Sequence, residues 1–152
     1  MGTKDKIKLH GEITFRVYRN GKLRLERKVK NLIVDVGKAQ VAGLINGVVT
    51  TPFTYIAIGT GTTAPTASDT ALEAETHREA ATTSRETTSV TNDTAVLQVT
   101  FSGYTGTEAI TESGVFDAAS GGNMLCRQTF SAINVDWDAG DALQVTWKIQ
   151  VS

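Results

Sequence analysis

Apolar and polar residues alternate over the last ten positions of the chain, and this pattern predicts a long β-strand with one packed face and one face in water. Successive side chains of a strand point to opposite sides, so a period of two places all the apolar residues on one face. Segment 95–101 has the same period. The apolar positions are Ala95, Leu97, Val99 and Phe101 in that segment, and Leu143, Val145, Trp147, Ile149 and Val151 at the C terminus.

Other segments also have strand character. The segments "AITESGVFD" and "NMLCRQTF" flank the turn "AASGG", and "FTYIAIG" predicts a strand from Phe53 to Ile58. Near the N terminus, "EITFRVYRNGKLRLERKV" predicts a β-hairpin, in which Asn20 and Gly21 supply the left-handed backbone of a tight type I′ turn.

The period changes in "NLIVDVGKAQVAGLING", which predicts a short helix. Asp35 is placed to cap its start, and Gly47 fits the left-handed residue just beyond its end. The apolar residues that share one helical face are Val36, Ala39, Ala42 or Gly43, and Ile45, with Val41 and Leu44 beside them.

A second short helix is predicted from Thr70 to about Arg78, because the residues from Thr70 to Glu73 match the S/T-x-x-E capping box. The following segment, "AATTSRETTSVTNDT", has no apolar period. It is either an exposed polar strand or a mobile loop.

Many short strands separated by turns predict a mainly β protein, an antiparallel β-sandwich or jelly-roll-like fold with one or two short helices. The length of 152 residues suits a single domain, 1–152. We divide it into a basic N-terminal arm and hairpin, 1–30, and a β-sandwich core, 31–152.

The net charge of −1 gives the chain no overall field that would attract nucleic acid or a membrane, but the cations are concentrated in the first quarter. The basic hairpin is either a solvated surface or an arm that docks on an acidic neighbour, and we take Arg16 and Arg24 as interface candidates. No N-terminal apolar leader and no membrane span is expected. The single cysteine, Cys126, is expected to be a buried thiol.

The segment "YIAIGTGTTAP" formally matches a dinucleotide-binding fingerprint through Gly59, Gly61 and Ala64. In such a site a helix begins at the third position, whereas here Pro65 follows and the helical pattern starts only near Thr70. We therefore interpret the two glycines as a scaffold turn that leads out of a core strand.

Other site chemistry is weakly supported. Only two histidines are present, too few for a typical metal site. The acidic loop "NVDWDAGD" is interpreted as a turn between strands, with a weak calcium site as the alternative, because its spacing departs from a calcium-binding loop. No nucleophile motif occurs, so we expect no catalytic activity and no cofactor. Trp137 lies in the acidic loop and either plugs the end of the core or anchors a partner.

The order of the motifs resembles a family of small tailed-bacteriophage virion proteins and, more distantly, the N-terminal attachment domain of phage tail-collar fibres. The similar segments are a short helix, an "-iavGtG-" strand and turn, an "L-x-x-E-x-x-R" segment and an "-i-E-x-G-x-F-D-" strand, within residues 31–152. The matching positions are Ile56 to Gly61; Leu72, Glu75 and Arg78; and Ile110, Glu112, Gly114, Phe116 and Asp117. The resemblance implies either a structural ion pair among Glu75, Arg78 and Glu112 that fixes the second helix on the sheet, or three independent solvated charges.

The resemblance also implies a non-catalytic virion structural protein, made in the host bacterial cytoplasm. Tail-collar fibres continue into shaft repeats and this chain ends at Ser152, so the first expectation is a decoration (cement) protein that binds and stabilises the capsid. The alternatives are a tail, baseplate or fibre-attachment component, and a host- or carbohydrate-binding module that uses Trp137 and Tyr104.

The expected partners are other virion proteins, either the major capsid protein or tail and baseplate proteins. Because symmetric particles impose cyclic multiplicity on what binds them, a homo-oligomer is expected, with a trimer favoured. We expect neither nucleic acid nor membrane as a partner.

Overall fold

The computed structural model describes residues 6–152, and they form two five-stranded antiparallel sheets with one α-helix. The predicted β-sandwich is confirmed. In chain order the elements are β1 (Leu9–Arg19), β2 (Lys22–Lys30), β3 (Leu32–Ile33), α1 (Asp35–Asn46), β4 (Tyr55–Gly59), β5 (Glu75–Ala80), β6 (Thr82–Glu86), β7 (Thr94–Phe101), β8 (Thr107–Phe116), β9 (Met124–Asp136) and β10 (Ala142–Val151).

The strand order is β2-β1-β10-β7-β6 in the first sheet and β3-β9-β8-β4-β5 in the second. The first five residues of the predicted basic arm lie outside the described residues. The rest of the arm leads into β1, which pairs with β10 from Leu9 to Tyr18, so that Phe15 lies opposite Val145. The N-terminal hairpin is therefore an integral part of the first sheet.

The core lies between the sheets, and the alternation predicted for the C-terminal strand is confirmed. Leu143, Val145 and Trp147 are fully buried, whereas Val151 at the end of the strand is 47% exposed. The hairpin contributes Ile13 and Phe15 to the same core. Cys126 is also buried there, as expected, and its burial raises the pKa of the thiol above the ordinary value.

The predicted tight turn of the hairpin is confirmed. Asn20 and Gly21 have φ angles of 51° and 74°, both in the left-handed region. Type I′ turns need this backbone at both central positions, and it matches the twist of the flanking strands.

The first predicted helix is confirmed as α1, with Gly47 at its C-cap in the left-handed conformation, φ 79°. Two details of the prediction were wrong. The N-cap is Val34, and Asp35 is the first helical residue, without a side-chain cap bond. The packed face centres on Gly37, not on Ala39, Ala42 and Ile45, because a Cβ at Gly37 would lie 2.3 Å from the Leu125 carbonyl oxygen of β9.

The second predicted helix is wrong, because Glu75–Ala80 is the edge strand β5, which pairs with β4. In a capping box the Glu73 carboxylate would bond to the N-cap backbone N–H at the start of a helix. Here it accepts hydrogen bonds from the backbone N–H groups of Thr62 and Thr63 across a loop. Beyond Ala80 the chain crosses to the other sheet. There the undecided segment forms the exposed edge strand β6 and then a loop.

Over residues 6–152, no helix has the length and apolar character required to cross a bilayer.

Candidate functional site

The carboxylate of Glu112, on β8, holds the long loop between β4 and β5 against the second sheet. Glu112 is fully buried and accepts backbone hydrogen bonds from Gly61 at 2.8 Å, Glu73 at 2.9 Å and Ala74 at 2.7 Å. The guanidinium of Arg127, on the neighbouring strand β9, lies 3.1 Å from the same carboxylate. Both ends of the loop are thus attached to one buried acid.

Gly59 and Gly61 are needed because the chain passes very close to this carboxylate. A Cβ on Gly61 would lie 2.4 Å from a Glu112 carboxylate oxygen, and a Cβ on Gly59 would lie 2.4 Å from the Ala74 carbonyl oxygen. Neither glycine has a positive φ, so close approach explains both of them. The loop holds a protein carboxylate where a nucleotide-binding loop would hold phosphate, in agreement with the scaffold interpretation.

Arg127 extends the attachment to the middle of the loop. Its side chain is 3% exposed, and it donates to Asp69 at 2.8 Å and to the Thr63 carbonyl oxygen at 3.0 Å. Burial opposes ionisation of Asp69, but hydrogen bonds from Thr66 and Arg127 outweigh it and lower the pKa of this carboxyl. The result is a network of one arginine, the buried Glu112 and the partly exposed Asp69 that fixes the loop at three points.

The structure brings only part of the proposed ion-pair set together. Arg78 pairs with Glu75 at 2.6 Å within β5, packs 3.7 Å from the centre of the Phe116 ring and donates to the carbonyl oxygens of Ala118 and Gly121. Arg78 therefore holds the turn between β8 and β9, and the predicted helix that it was to fix does not exist. Glu112 pairs instead with Arg127.

Sequence reasoning missed Arg127, which lies in "NMLCRQTF". Its three preceding residues, Met124 to Cys126, are all buried, so this stretch has the continuous apolar character of a strand covered on both faces. An arginine at the end of such a run has to find a buried acid. That run is the signal that could have identified Arg127.

Trp137 is 4% exposed and belongs to the hydrophobic core, which favours the plug over the partner anchor. Its indole N–H donates to Glu108 at 2.6 Å, and His77 contacts the same carboxylate oxygen at 2.6 Å. The His77 ring stacks on Tyr104 with a centroid separation of 3.6 Å. Burial and the hydrogen bond to Glu79 raise the pKa of Tyr104 to about 12.

The basic hairpin is attached to the start of β10 through Asp141, an acid that the sequence did not single out. Arg19 and Arg24 lie 2.7 Å and 2.9 Å from the carboxylate of Asp141, and the Asp141 side chain is fully buried. Arg16, further along β1, pairs with Glu26 of β2 on the exposed surface at 2.9 Å. Arg24, one of the interface candidates, therefore also has a structural partner within the chain.

These contacts predict that Asp141 makes the protein more sensitive to acid. The hydrogen bond from Arg19 is the main cause that lowers the pKa of Asp141 to about 2, against roughly 3.9 in an unfolded chain. Folding therefore favours the ionised form, and the resulting stability is complete above about pH 4 and is lost as the pH falls through about 2. In thermal unfolding between pH 7 and pH 2, Asp141→Asn is expected to lower Tm at neutral pH, and its difference from wild type should shrink at low pH.

Asp138→Asn is the matched control, since it removes one carboxylate from the same turn at an exposed position. A wild-type-minus-Asp141→Asn difference in Tm that stays constant down to pH 2 would contradict the role assigned to the ion pairs.

The acidic loop has no arrangement of metal ligands. Among the described residues, no group of three or more His, Cys, Asp or Glu side chains is positioned to hold a metal ion. Asp136 accepts a hydrogen bond from the Ala139 backbone N–H, as expected for a turn between strands.

Comparison with known proteins gives one family. Residues 36–148, about three quarters of the chain, match the model of the family described as "Podophage GP4 fiber I protein gp80". The match begins in α1 and ends within β10, so it includes the Glu112 network and excludes the N-terminal hairpin. No curated protein and no solved structure matches the chain.

Proposed function

Because the chain belongs to the podophage GP4 fiber I protein gp80 family, we propose that it is a structural component of the tail or fibre apparatus of a bacteriophage particle. Family membership makes it a phage virion structural protein. The family match is the observation that supports the tail or fibre position, and it favours this alternative over the capsid-decoration interpretation. Similarity to tail-collar fibres adds no further support.

The structure suits a role in binding and assembly. The loop from Gly59 to Glu75 and the turn at 118–121 are both held by internal arginine contacts, so these connections are fixed before any partner binds. Rigid connections reduce the entropy that is lost when surfaces associate. We therefore propose that the protein acts by forming contacts in the particle and without catalysis.

We propose other virion proteins of the tail or baseplate as the partners, together with self-association into a homotrimer. The trimer proposal rests on the cyclic symmetry of positions in a virion. A trimer of the 16.2 kDa chain would have a mass of about 49 kDa, which light scattering after size-exclusion chromatography would measure. A mass of 16 kDa at working concentrations would contradict it.

The proposed position is tested by counting copies of the protein in purified phage particles, with isotope-labelled reference peptides and the major capsid protein as the internal standard. A tail or fibre component is expected at a few to a few dozen copies per particle. Hundreds of copies would restore the decoration interpretation. Absence from washed particles would contradict the virion role.

A further inference from the structure

The large apolar side chains that are exposed to solvent are concentrated at one end of the sandwich. Val151 pairs with Leu9 of β1. The Val151 backbone N–H donates to the carbonyl oxygen of Asp93, which lies in the same loop as Val90. Ile7 and Ile45 line one groove. Of the six large exposed apolar residues in the part of the chain that the structure describes, five belong to segments at this end: Ile7, Ile45, Val48, Val90 and Val151. The sixth, Leu23, lies beside the hairpin turn at the opposite end.

The centre of this region is a groove of about 480 Å³ between the start of β1 and helix α1. Its floor includes the buried Ile33, and its rim includes Ile7 and Ile45, which are 76% and 79% exposed. The remaining apolar lining residues are Leu9, Val41 and Ala42. Contiguous exposed apolar surface of this kind marks an interaction site.

The polar residues of the groove carry positive charge or none. They are Lys8, Lys38 and His10, and no acidic residue from 6 to 152 lines the groove. His10 contacts the Ser152 hydroxyl at 2.7 Å. Neither lysine forms a salt bridge with any residue from 6 to 152, whereas Arg16, Arg19 and Arg24 all do. Within the described part of the chain, the groove therefore has no carboxylate that would complement its charge.

The charge disfavours the simplest occupant, a second copy bound through the same end. An isologous contact would place Lys8 and Lys38 against the same lysines of the other copy, and like charges across an interface are unfavourable. The exposed rim also argues against a small molecule, since small-molecule sites bury most of the ligand surface. An extended or helical segment can lie along such an open groove.

We infer that this groove binds a segment of another virion protein that carries apolar side chains flanked by Asp or Glu. The inference rests on the proposed function and adds the surface and the chemistry of the partner. The apolar side chains of the segment cover Ile45, Val41 and Leu9, and its carboxylates pair with Lys8 and Lys38. The groove joins β1, outside the family match, to α1, within it, so its lining combines both parts of the chain.

The test is incorporation into particles. A phage that lacks the gene is complemented with wild type, Ile45→Glu or Leu23→Glu, and copies per purified particle are counted by mass spectrometry. Ile45→Glu places a negative charge against the carboxylates of the bound segment and removes an apolar contact. It is therefore expected to reduce incorporation by about tenfold or more. Leu23→Glu is the matched control, an exposed leucine at the other end, and is expected to leave incorporation unchanged.

Ile45 is mostly exposed, so the purified Ile45→Glu protein should unfold at the wild-type temperature, and this is checked by circular dichroism. Wild-type incorporation of Ile45→Glu would overturn the groove inference while leaving the proposed function intact. Absence of the wild-type protein from particles would instead overturn the proposed function.

The partner is identified with a photo-crosslinking amino acid at position 45 in assembled particles. The expected product joins this chain to a different virion protein, at a peptide with Asp or Glu next to apolar residues. Crosslinks to a second copy, to residues 1–5 of the same chain or to no protein would overturn the inference. Lys38→Glu should also reduce incorporation, whereas Lys22→Glu at the hairpin turn should not.

Discussion

Replacement of Glu112 by glutamine is expected to lower the free energy of unfolding by about 3–5 kcal/mol, because it removes the fully buried one of the two carboxylates that pair with Arg127 and leaves only the partly exposed Asp69. Glutamine also turns an N–H₂ group toward the backbone N–H donors of Gly61, Glu73 and Ala74, all of which now donate to the carboxylate. For a domain of this size the loss corresponds to a decrease in Tm of about 10 °C.

The measurement is equilibrium denaturation in urea, followed by tryptophan fluorescence, for wild type and Glu112→Gln. Glu86→Gln is the control, because it removes the same kind of group from the exposed pair with Lys148. That substitution is expected to leave the midpoint unchanged. If Glu112→Gln cost less than about 1 kcal/mol, the Glu112 network would not be what holds the loop on the sheet.

Truncation of Trp147 to alanine is expected to cost about 3–5 kcal/mol, the usual loss for a large aromatic residue removed from a core. Trp147 lies at the centre of β10, is fully buried, and faces Ile13 of β1 on one side and Leu97 of β7 on the other. A cavity at this position would weaken the contact between the hairpin and the strands that belong to the family match.

Trp147→Phe separates the packing of the ring from its hydrogen bond. The indole N–H donates to the Ser113 hydroxyl at 3.1 Å, and phenylalanine keeps most of the ring volume without that donor. We expect Trp147→Phe to cost less than Trp147→Ala. About 1 kcal/mol of the Trp147→Phe loss comes from the missing hydrogen bond. Equal losses for the two variants, measured by the same denaturation, would contradict a packing role for the ring.

The strands predicted best from the sequence are those that have one face in the core. In β10 and β7 the period of two is set by the core itself, and the turn at Asn20 and Gly21 depends on the backbone angles of those two residues. Edge strand β5 was predicted as part of a helix because the preceding residues, Thr70 to Glu73, match a capping box. Its conformation is determined by pairing with β4, which the local sequence does not encode.

The residues of the Glu112 network were also predicted only in part from the sequence. The sequence singled out Gly59, Gly61 and Glu112 as motif residues, and they meet in one place. It did not identify Arg127 or Asp141 as partners, because ion pairs between distant segments depend on strand register. Gly61 and Glu112 come together because β4 pairs with β8, which places Gly59 opposite Glu112.

Immunogold labelling of intact parent phage, viewed by negative-stain electron microscopy, tests the position of the protein in the particle most directly. A phage lacking the gene is the control for antibody specificity. We expect gold confined to the tail or its fibres. Gold distributed over the whole head would contradict the tail or fibre position and support capsid decoration.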